Sequence, residues 1–550
     1  MVRDRYATAG LAAFTVALWG GSLRNGLVYD DLVNVVGNRW IADWRVLGRA
    51  FTEHAAGFDP RYHTSFYRPM MHVLYAAVHA VAGVRPWAYH ALNVSLHTAA
   101  VLLVCVLTRR LLARFGEPGR HRSLPLLAAL VFSVHPVHTE PVLWVAGVTD
   151  LSFTVFGLGA LLAYVRGRAA VAGALLLASL LCKETGATFF LLTLVLEWSA
   201  RREAAWTTGQ AARRLTPGLA ALMLYAALRF HALGSFAPSA REHARPAGEL
   251  ALTALGLFAR YVGLLVAPVR LSVLRPIPAP GMLAAIAGLA LLAGFLALAF
   301  RWRRRPLRLL ALGAVLLPLL PVLYVPAIES GQSVFGERYL YLPVLGVAWA
   351  VAWAFEEARQ RLGRPAVPLA LATVLVAACS AAVLARTSVW RDSLSLWKDA
   401  VAQAPGSAAA HENLCFALYT AGRVEEALSA CERALTLDPA RLDARINHAT
   451  ALLALGRAEE ARRELEGLDV PQALVQRGLA CMVLGRHGEA LASYERALTL
   501  DPGSAETHND LGVALVRLGR PAEALPHLER AFALRPDNPE YRANLRACPR

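Results

Sequence analysis

Long apolar runs separated by short polar loops dominate the first two thirds of the chain. A helix that crosses a bilayer needs about 20 apolar residues. Eleven segments approach that length, at 7–24, 87–108, 124–141, 143–165, 169–183, 185–199, 212–231, 282–300, 307–326, 339–357 and 366–386. The pattern therefore predicts an all-α, polytopic membrane domain of about 11 spans over residues 1–386.

Arginines cluster in the loops between these runs and predict the orientation of the chain. With eleven spans, the arginine-rich loops all face the cytoplasm, as the positive-inside rule requires. This arrangement needs 68–83 and 250–271 to lie along the outer surface as interfacial helices. It places the N-terminus in the cytoplasm, and it places a loop at 25–86 and everything after residue 386 on the outer side. No small-residue cleavage site follows the first segment, so we expect it to remain as a signal anchor.

Beyond residue 386 the apolar runs give way to amphipathic segments that recur with a regular period. Turn glycines lie 34, 29 and 34 residues apart, at Gly422, Gly456, Gly485 and Gly519. A period of 34 residues is that of the tetratricopeptide repeat, a pair of antiparallel helices. We therefore predict a tetratricopeptide-repeat α-solenoid over 387–550, with a partial first unit at 390–405 and then about four units.

The predicted solenoid has two interpretations. Stacked helix pairs form a curved superhelix whose concave face commonly binds an extended peptide. The array could instead only stabilise or dimerise the membrane part. The first interpretation predicts a protein or peptide partner, and the second predicts none.

Composition narrows the class of protein further. Hydrophobic residues make up 56% of the chain and the mean hydropathy is +0.42, which fits a multi-span membrane protein. The formal charge of +16 comes with arginines in short loops, where membrane orientation explains them, so we expect no nucleic-acid partner. The seven cysteines show no CxxC or His/Cys spacing, and we expect neither a disulfide framework nor a zinc site.

Polar residues near membrane depth mark candidate functional positions, because such groups are costly there. Five groups of them map to the outer side: Asp30 and Asp31; His135, His138, Glu140 and Asp150; Lys183 and Glu184; Arg260 and Arg270; Glu337 and Arg338. Carboxylates can accept a proton or hold a divalent ion, and Lys183, Arg270 and Arg338 can neutralise a phosphate. This inventory suits group transfer from a lipid phosphate.

Each group also has a structural alternative. Asp30 and Asp31 could cap a helix in the loop. His135 and His138 could belong to a metal site with Glu140, although a proline stands between the histidines and no fourth ligand is evident. Glu337 and Arg338 could form an ion pair at a helix end. Lys183 is one of two lysines in an arginine-rich chain, which favours a specific role for its compact ammonium group.

The order of these motifs resembles a known family. "VYDD", "FYRPMMHVLYAAVHAVAG", "HPVHTEPV", "CKETG" and "ERYLYLP", followed by the repeats, are similar to the transmembrane and tetratricopeptide-repeat protein O-mannosyltransferases, which are C-type glycosyltransferases. The resemblance covers nearly the whole chain. It implies an inverting transfer of a sugar, mannose in this family, from a polyprenyl-phosphate donor to a Ser or Thr hydroxyl on the outer side of the membrane.

The resemblance also implies roles for individual residues. Asp30 falls on the first position of the paired acidic motif and is the expected base, while Asp31 would orient a loop or bind a divalent metal ion such as Mg²⁺ or Mn²⁺. Lys183, Arg338 and Arg270 would bind the donor phosphate. Supporting roles would fall to His135, His138, Glu140, Asp150, Glu184 and Glu337. The sequence departs from the family where "GVTD" has Thr149, not arginine, before Asp150, so one phosphate or sugar contact is missing or comes from elsewhere.

Compact loops and an Arg/Ala-rich composition are typical of a bacterial protein, so we expect an inner-membrane location, a periplasmic repeat domain and an undecaprenyl- or decaprenyl-linked donor. Two rival functions remain. A non-catalytic membrane anchor with repeats that assemble envelope proteins would leave the five polar groups unexplained. A transporter of lipid-linked sugar would place polar residues through the membrane midplane rather than at one face.

Overall fold

A computed structural model describes residues 2–59, 64–116, 123–201, 206–235, 246–275, 281–323, 335–362, 366–536 and 538–549. These residues form helices joined by turns, and no strand occurs among them, which confirms the all-α prediction. The chain divides into two compact units, Met1–Leu396 and Trp397–Arg550. Each unit has its own set of helices.

The first unit is built from helices that run back and forth. In chain order they are α1 Val2–Trp19, α2 Arg39–Ala42, α3 Pro69–Ala82, α4 Pro86–Phe115, α5 Leu124–Val134, α6 Thr139–Leu143, α7 Val148–Val165, α8 Ala169–Cys182, α9 Ala187–Ala200, α10 Thr208–Leu233, α11 Ala247–Val266, α12 Met282–Arg301, α13 Pro306–Leu316, α14 Leu319–Val322, α15 Val344–Leu362 and α16 Ala366–Thr387. A further helix, α17 Ser393–Gln403, crosses the division between the units.

Six helices of the described residues are long and apolar enough to cross a membrane, or up to seven if a bent pair counts as one span. They are α1 with the turn after it, α4, α7 with the turn before it, α11, α12 and α16. The number of about 11 spans therefore stays a prediction. Helix α11 passes this test although we predicted an interfacial segment there, and residues 324–326 of the predicted span 307–326 lie outside the described residues.

The predicted span 124–141 is a broken helix. Helix α5 stops at Val134, a short 3-10 turn follows at Pro136–His138, and the two parts are bent by 52°. Proline lacks the amide hydrogen that would continue the helix and disfavours helical geometry in the residue before it. At the next bend, a side chain on Gly147 would collide with the carbonyl of Pro141. The chain thus changes direction near His135 and again near Gly147, next to the polar groups.

The second unit is a stack of antiparallel helix pairs. They are α18 Ala408–Thr420 with α19 Val424–Leu437, α20 Leu442–Ala454 with α21 Ala458–Glu464, α22 Pro471–Val483 with α23 His487–Leu500, and α24 Ala505–Arg517 with α25 Pro521–Leu534, followed by α26 Pro539–Ala547. The four turn glycines all have φ between 73° and 77°, a region that glycine enters without steric cost. The glycines therefore form the turn within each of these pairs.

One expectation about the cysteines is wrong. Cys415 of α18 and Cys431 of α19 form a disulfide, with sulfur atoms 2.05 Å apart. The two positions are 16 residues apart and become neighbours only because the helix pair folds back on itself at Gly422. Spacing rules for CxxC and metal motifs do not detect such a pair.

Candidate functional site

The predicted polar residues come together at one end of the helix bundle in the first unit. Asp30 follows α1, Glu140 lies in the break between α5 and α7, and Lys183 occupies the turn between α8 and α9. Arg338 lies just before α15. Since neighbouring helices are antiparallel, these connections meet at the same end, and side-chain contacts join them into one layer.

Asp30 is half-buried in a tight turn after α1. The residue before it, Tyr29, has φ of 54°, a left-handed conformation that is strained for a tyrosine. The Tyr29 ring stacks on Trp144 with ring centroids 5.8 Å apart. Burial raises the pKa of Asp30 from 3.8 to about 6, and the positive charge of Arg338 opposes this rise. A carboxylate with such a pKa can accept a proton near neutral pH.

Asp31 has a different environment from its neighbour. Its side chain is fully buried, and its two oxygens accept hydrogen bonds from the amides of Val28, at 3.1 Å, and Ala146, at 2.8 Å. The carboxylate therefore ties the first loop to the bend before α7. Both oxygens are thus used to connect two backbone segments, and the role predicted for Asp31 stays a prediction.

Arg338 is held by Glu140 across 198 residues of sequence. Its Nη1 donates to Glu140 Oε1 at 2.6 Å, and its backbone amide donates to Glu140 Oε2 at 2.8 Å. The guanidinium also lies 5.5 Å from the ring centre of Trp144. Glu140 is buried, whereas the Arg338 side chain is 24% exposed. The arrangement fixes a partly accessible cation close to Asp30.

Lys183 forms a buried ion pair with Asp150. The ammonium Nζ lies 2.6 Å from Asp150 Oδ1, and both side chains are 3% exposed. Lys183 also lies 4.9 Å from the ring centre of Tyr339. The pair links α7 to the turn after α8, so the ammonium charge is already balanced inside the protein.

The structure corrects the ion pair considered for Glu337 and Arg338. Glu337 Oε1 accepts from the amide of Ser272 at 2.7 Å and from Arg275 Nε at 3.0 Å, while Arg338 pairs with Glu140. Arg270 is exposed, has φ of 53°, and its carbonyl accepts a hydrogen bond from Arg275. Two adjacent charged residues thus have separate partners, because neighbours at a turn point in different directions.

His135 and His138 are parts of a buried aromatic cluster. His135 Nε2 lies 3.1 Å from the carbonyl of Leu265, and His138 Nε2 lies 3.3 Å from the carbonyl of Tyr341. The His138 ring is 4.7 Å from Phe132 and 4.5 Å from Tyr341. Within the described residues, no group of three or more His, Cys, Asp or Glu side chains could hold a metal ion. The two histidines pack the break in the helix.

Comparison with known proteins finds repeat models for the C-terminal part and relatives for longer stretches of the chain. Three tetratricopeptide repeat models match residues 383–441, 418–473 and 469–537. Protein O-mannosyl-transferase Tmtc3 of Drosophila melanogaster is 25% identical over 82% of this chain and 57% of its own length. Protein O-mannosyl-transferase Tmtc1 of the same organism is 34% identical over 34% of this chain and 22% of its own length. The chain is therefore similar in sequence to proteins named protein O-mannosyl-transferases.

The chain spans 57% and 22% of the lengths of these two relatives. Among solved structures, a thermophilic tetratricopeptide repeat protein of Thermus thermophilus is 24% identical over 28% of this chain and 88% of its own chain, with a TM-score of 0.27. That similarity concerns the repeat fold alone.

Several residues that contact the site were absent from our sequence-based prediction. Trp390, which we predicted to belong to a partial repeat, is 1% exposed, and its ring centroid lies 6.4 Å from that of Trp144. The carbonyl of its neighbour Arg391 accepts from the amide of Gly26 at 2.8 Å. Arg68 pairs with Glu184 at 3.3 Å. Only Arg68 had a usable signal, as the arginine of the "FYRP" motif.

Proposed function

We propose that this chain is a membrane glycosyltransferase that moves a sugar, expected to be mannose, from a polyprenyl-phosphate donor to a Ser or Thr hydroxyl of a protein. The names of its homologues support protein O-mannosylation. The observation that carries the proposal is the position of Asp30, a half-buried carboxylate whose pKa is raised by burial and whose charge interacts with the fixed cation Arg338. A base beside a cation is what this transfer requires.

The proposed reaction is a single displacement with inversion. The acceptor hydroxyl oxygen attacks the anomeric carbon of the sugar while Asp30 takes the hydroxyl proton. The bond between the anomeric carbon and the phosphate oxygen breaks, and its electron pair stays on the departing polyprenyl phosphate. Arg338 adds positive charge to the polar layer in which the phosphate departs, and Glu140 keeps its guanidinium in place before the substrate arrives.

The other predicted residues act through the framework of the site. Asp31 holds the Asp30 turn against the bend before α7. Asp150 and Lys183 hold α7 against the turn after α8. Within the described residues no group of three or more His, Cys, Asp or Glu side chains includes Asp31, so the donor set does not fit a metal there, and no step of the proposed reaction passes through a metal ion.

An apolar cavity supports a donor with a hydrocarbon chain. It has a volume of about 640 Å³ and lies among α5, α11, α12, α13, α15 and α16. Val262, Leu265 and Phe295 line its wall, and His135 of the broken helix also borders it. A groove between membrane helices that reaches the polar layer suits an isoprenoid whose phosphate must lie at the end of the bundle.

The repeat unit would recruit the acceptor protein. Tetratricopeptide repeats bind other proteins through their concave face. The disulfide between Cys415 and Cys431 supports an extracytoplasmic location for this unit, since disulfides persist in oxidising compartments. We propose a bacterial inner-membrane protein with a cytoplasmic N-terminus, a periplasmic repeat unit and a decaprenyl- or undecaprenyl-phosphate sugar as donor.

Transfer of radiolabelled mannose from synthetic decaprenyl-phosphate mannose to periplasmic protein tests the proposal. Membranes with the wild-type chain should transfer label, and Asp30→Asn should lower transfer by about 100-fold or more because the general base is lost. Asp43→Asn is the matched control, since Asp43 is an exposed carboxylate in the same loop, and it should transfer normally. Transfer by Asp30→Asn at the rate of this control would show that Asp30 is not the base.

A further inference from the structure

Five buried polar atoms without hydrogen-bond partners belong to side chains around the Lys183 turn. They are Arg68 Nε, Arg229 Nη1, Thr64 Oγ1, Tyr225 Oη and Glu184 Oε2. Buried polar atoms in folded proteins nearly always have a partner, so each exception calls for an explanation. A cluster that combines unpaired donors and an unpaired acceptor suggests that a polar ligand completes it.

The two arginines are held in place by their remaining contacts. Arg68 precedes α3, its guanidinium lies 4.2 Å from the ring centre of Phe66, and its Nη2 lies 3.3 Å from Glu184 Oε1. Arg229, near the end of α10, donates from Nη2 to the carbonyl of Ser65 at 3.0 Å. The unused N–H groups are therefore presented by guanidinium groups whose positions are already fixed.

The charges of both arginines act on the carboxylate of Glu184. Arg68, Lys183 and Arg229 all interact electrostatically with Glu184. Tyr225, one turn before Arg229 on α10, is 7% exposed and interacts with Glu184 and both arginines. The start of α3 adds to the positive field, because its first turn lacks a side-chain cap and helix N-termini favour anions.

The remaining cations of the layer have less capacity for a new anion. Lys183 is 2% exposed and paired with Asp150. Arg338 donates to Glu140 from both its side chain and its backbone. Arg68 and Arg229, by contrast, each keep a buried donor atom without a hydrogen-bond partner.

We infer that Arg68 and Arg229 bind the phosphate of a glycosyl phosphate, and that Glu184 accepts a hydrogen bond from a hydroxyl of its sugar. A phosphate offers the acceptor oxygens that the guanidinium N–H groups need. A lone phosphate would leave Glu184 Oε2 unpaired, whereas a sugar hydroxyl can donate to it. The inference rests on the proposed function and names the residues that hold its donor.

The location agrees with the proposed reaction. Arg68 interacts electrostatically with Asp150 and Tyr339, and the Tyr339 ring centre is 5.0 Å from the guanidinium of Arg338. Arg338 in turn acts on Asp30. The layer therefore runs from the phosphate site, past Tyr339, to the base, and a sugar bound beside Glu184 would lie along it.

Titration of the purified full-length chain in detergent with decaprenyl phosphate and with decaprenyl-phosphate mannose tests this assignment. Arg68→Lys and Arg229→Lys keep the charge but lose the planar fork, and each should weaken binding of both lipids by about 10- to 100-fold. Glu184→Gln keeps an oxygen for Arg68 but replaces the unpaired acceptor by an amide donor. It should weaken binding of the mannosylated lipid alone. Arg85→Lys, an exposed arginine between α3 and α4, should leave both affinities unchanged.

The outcomes separate the inference from the function on which it rests. If the wild type binds both lipids and neither lysine variant differs from Arg85→Lys, the assignment is wrong and the proposed function stands. If the wild type binds neither lipid, the proposed donor class is wrong and the assignment fails with it. Size-exclusion profiles of the variants identify any that misfold. If one arginine variant misfolds, the lipid affinity of the other decides whether the assignment holds.

Discussion

At the scale of single residues, Asp30 and Asp31 show how burial and hydrogen bonding give adjacent carboxylates different roles. Asp31 is fully buried and its oxygens accept two amide hydrogens. Asp30 is half-buried, and its charge interacts with that of Arg338. With a pKa of about 6, it can receive a proton near neutral pH. Only the second environment suits acid–base chemistry.

Transfer should depend on the ionisation of Asp30. Burial raises the pKa of Asp30 to about 6, and a base acts only when deprotonated, so the rate should fall about tenfold for each pH unit below that value. Replacing Arg338 by glutamine removes the opposing charge, raises the pKa of Asp30 further and should move the acidic limb to higher pH. Initial rates measured across the acidic and neutral range check both statements. If the rate began to fall only near pH 3.8, the ordinary pKa of an aspartate, the result would contradict the burial of Asp30.

The Lys183–Asp150 pair should contribute to stability through charge balance. Lys183→Met leaves a buried carboxylate without its cation, which costs about 3–5 kcal/mol in comparable sites, so the melting temperature in detergent should fall. The double variant Lys183→Met with Asp150→Leu should recover most of the loss. Arg423→Gln, which breaks an exposed pair with Glu426 in the repeats, should melt like the wild type. Normal melting of Lys183→Met would show that the pair is not buried.

At the scale of elements, breaks in helices bring the polar groups together. The bend of 52° at His135 stops a membrane helix at the level of Glu140, and a second bend at Gly147 begins α7 with Asp150 in its first turn. In the repeats, glycine turns fold each helix back on its partner, which places Cys415 against Cys431. Turn chemistry therefore decides which side chains meet.

The disulfide should stabilise the first helix pair of the repeat unit. Cross-linking two positions 16 residues apart restricts the unfolded chain and contributes about 3 kcal/mol in the loop-entropy model. A reductant should lower the temperature at which residues 408–437 become protease-sensitive in the wild-type chain. The same reductant should not affect the Cys415→Ser, Cys431→Ser double variant. Equal sensitivity with and without reductant in the wild type would show that the bond contributes nothing.

At the scale of the whole molecule, the parity of the spans decides on which sides of the membrane the two ends lie. Six or seven helices of the described residues qualify by length and composition, while the arginine pattern requires an odd number. Short apolar helices such as α8 and α9 can cross the membrane only within the helix bundle. There, neighbouring helices provide hydrogen-bond partners for the backbone groups at their ends.

We expect the two ends of the chain on opposite sides of the membrane. Protease added to bacterial spheroplasts should digest a tag fused after Arg550 and spare a tag fused before Met1. Lysed cells, in which both tags are accessible, serve as the control. Digestion of the N-terminal tag in intact spheroplasts would contradict the orientation, and protection of both tags would place the repeat unit in the cytoplasm.

Local patterns in the sequence were sufficient for some features of this protein. The glycine spacing predicted the repeat units, because each helix pair repeats the same turn chemistry. The order of motifs along the chain predicted the similarity to protein O-mannosyl-transferases. The repeat prediction uses information within one helix pair, whereas the motif order uses nearly the whole sequence.

Pairings over long sequence distances depended on the tertiary structure. The contact between Arg338 and Glu140 joins residues 198 positions apart, and that between Gly26 and Arg391 joins the first loop to the segment after α16. Glu337 pairs with Arg275 rather than with its neighbour Arg338. Charge type alone cannot choose among many possible partners.

The sequence by itself determined which segments are apolar and where the repeat helices turn, because hydrophobicity and turn propensity are properties of short stretches. The tertiary structure decided which of two adjacent aspartates stays available, which cations are already neutralised and which cysteines meet. Those outcomes depend on burial and on the partner that packing brings within a few ångströms, and neither is a property of a single stretch of chain.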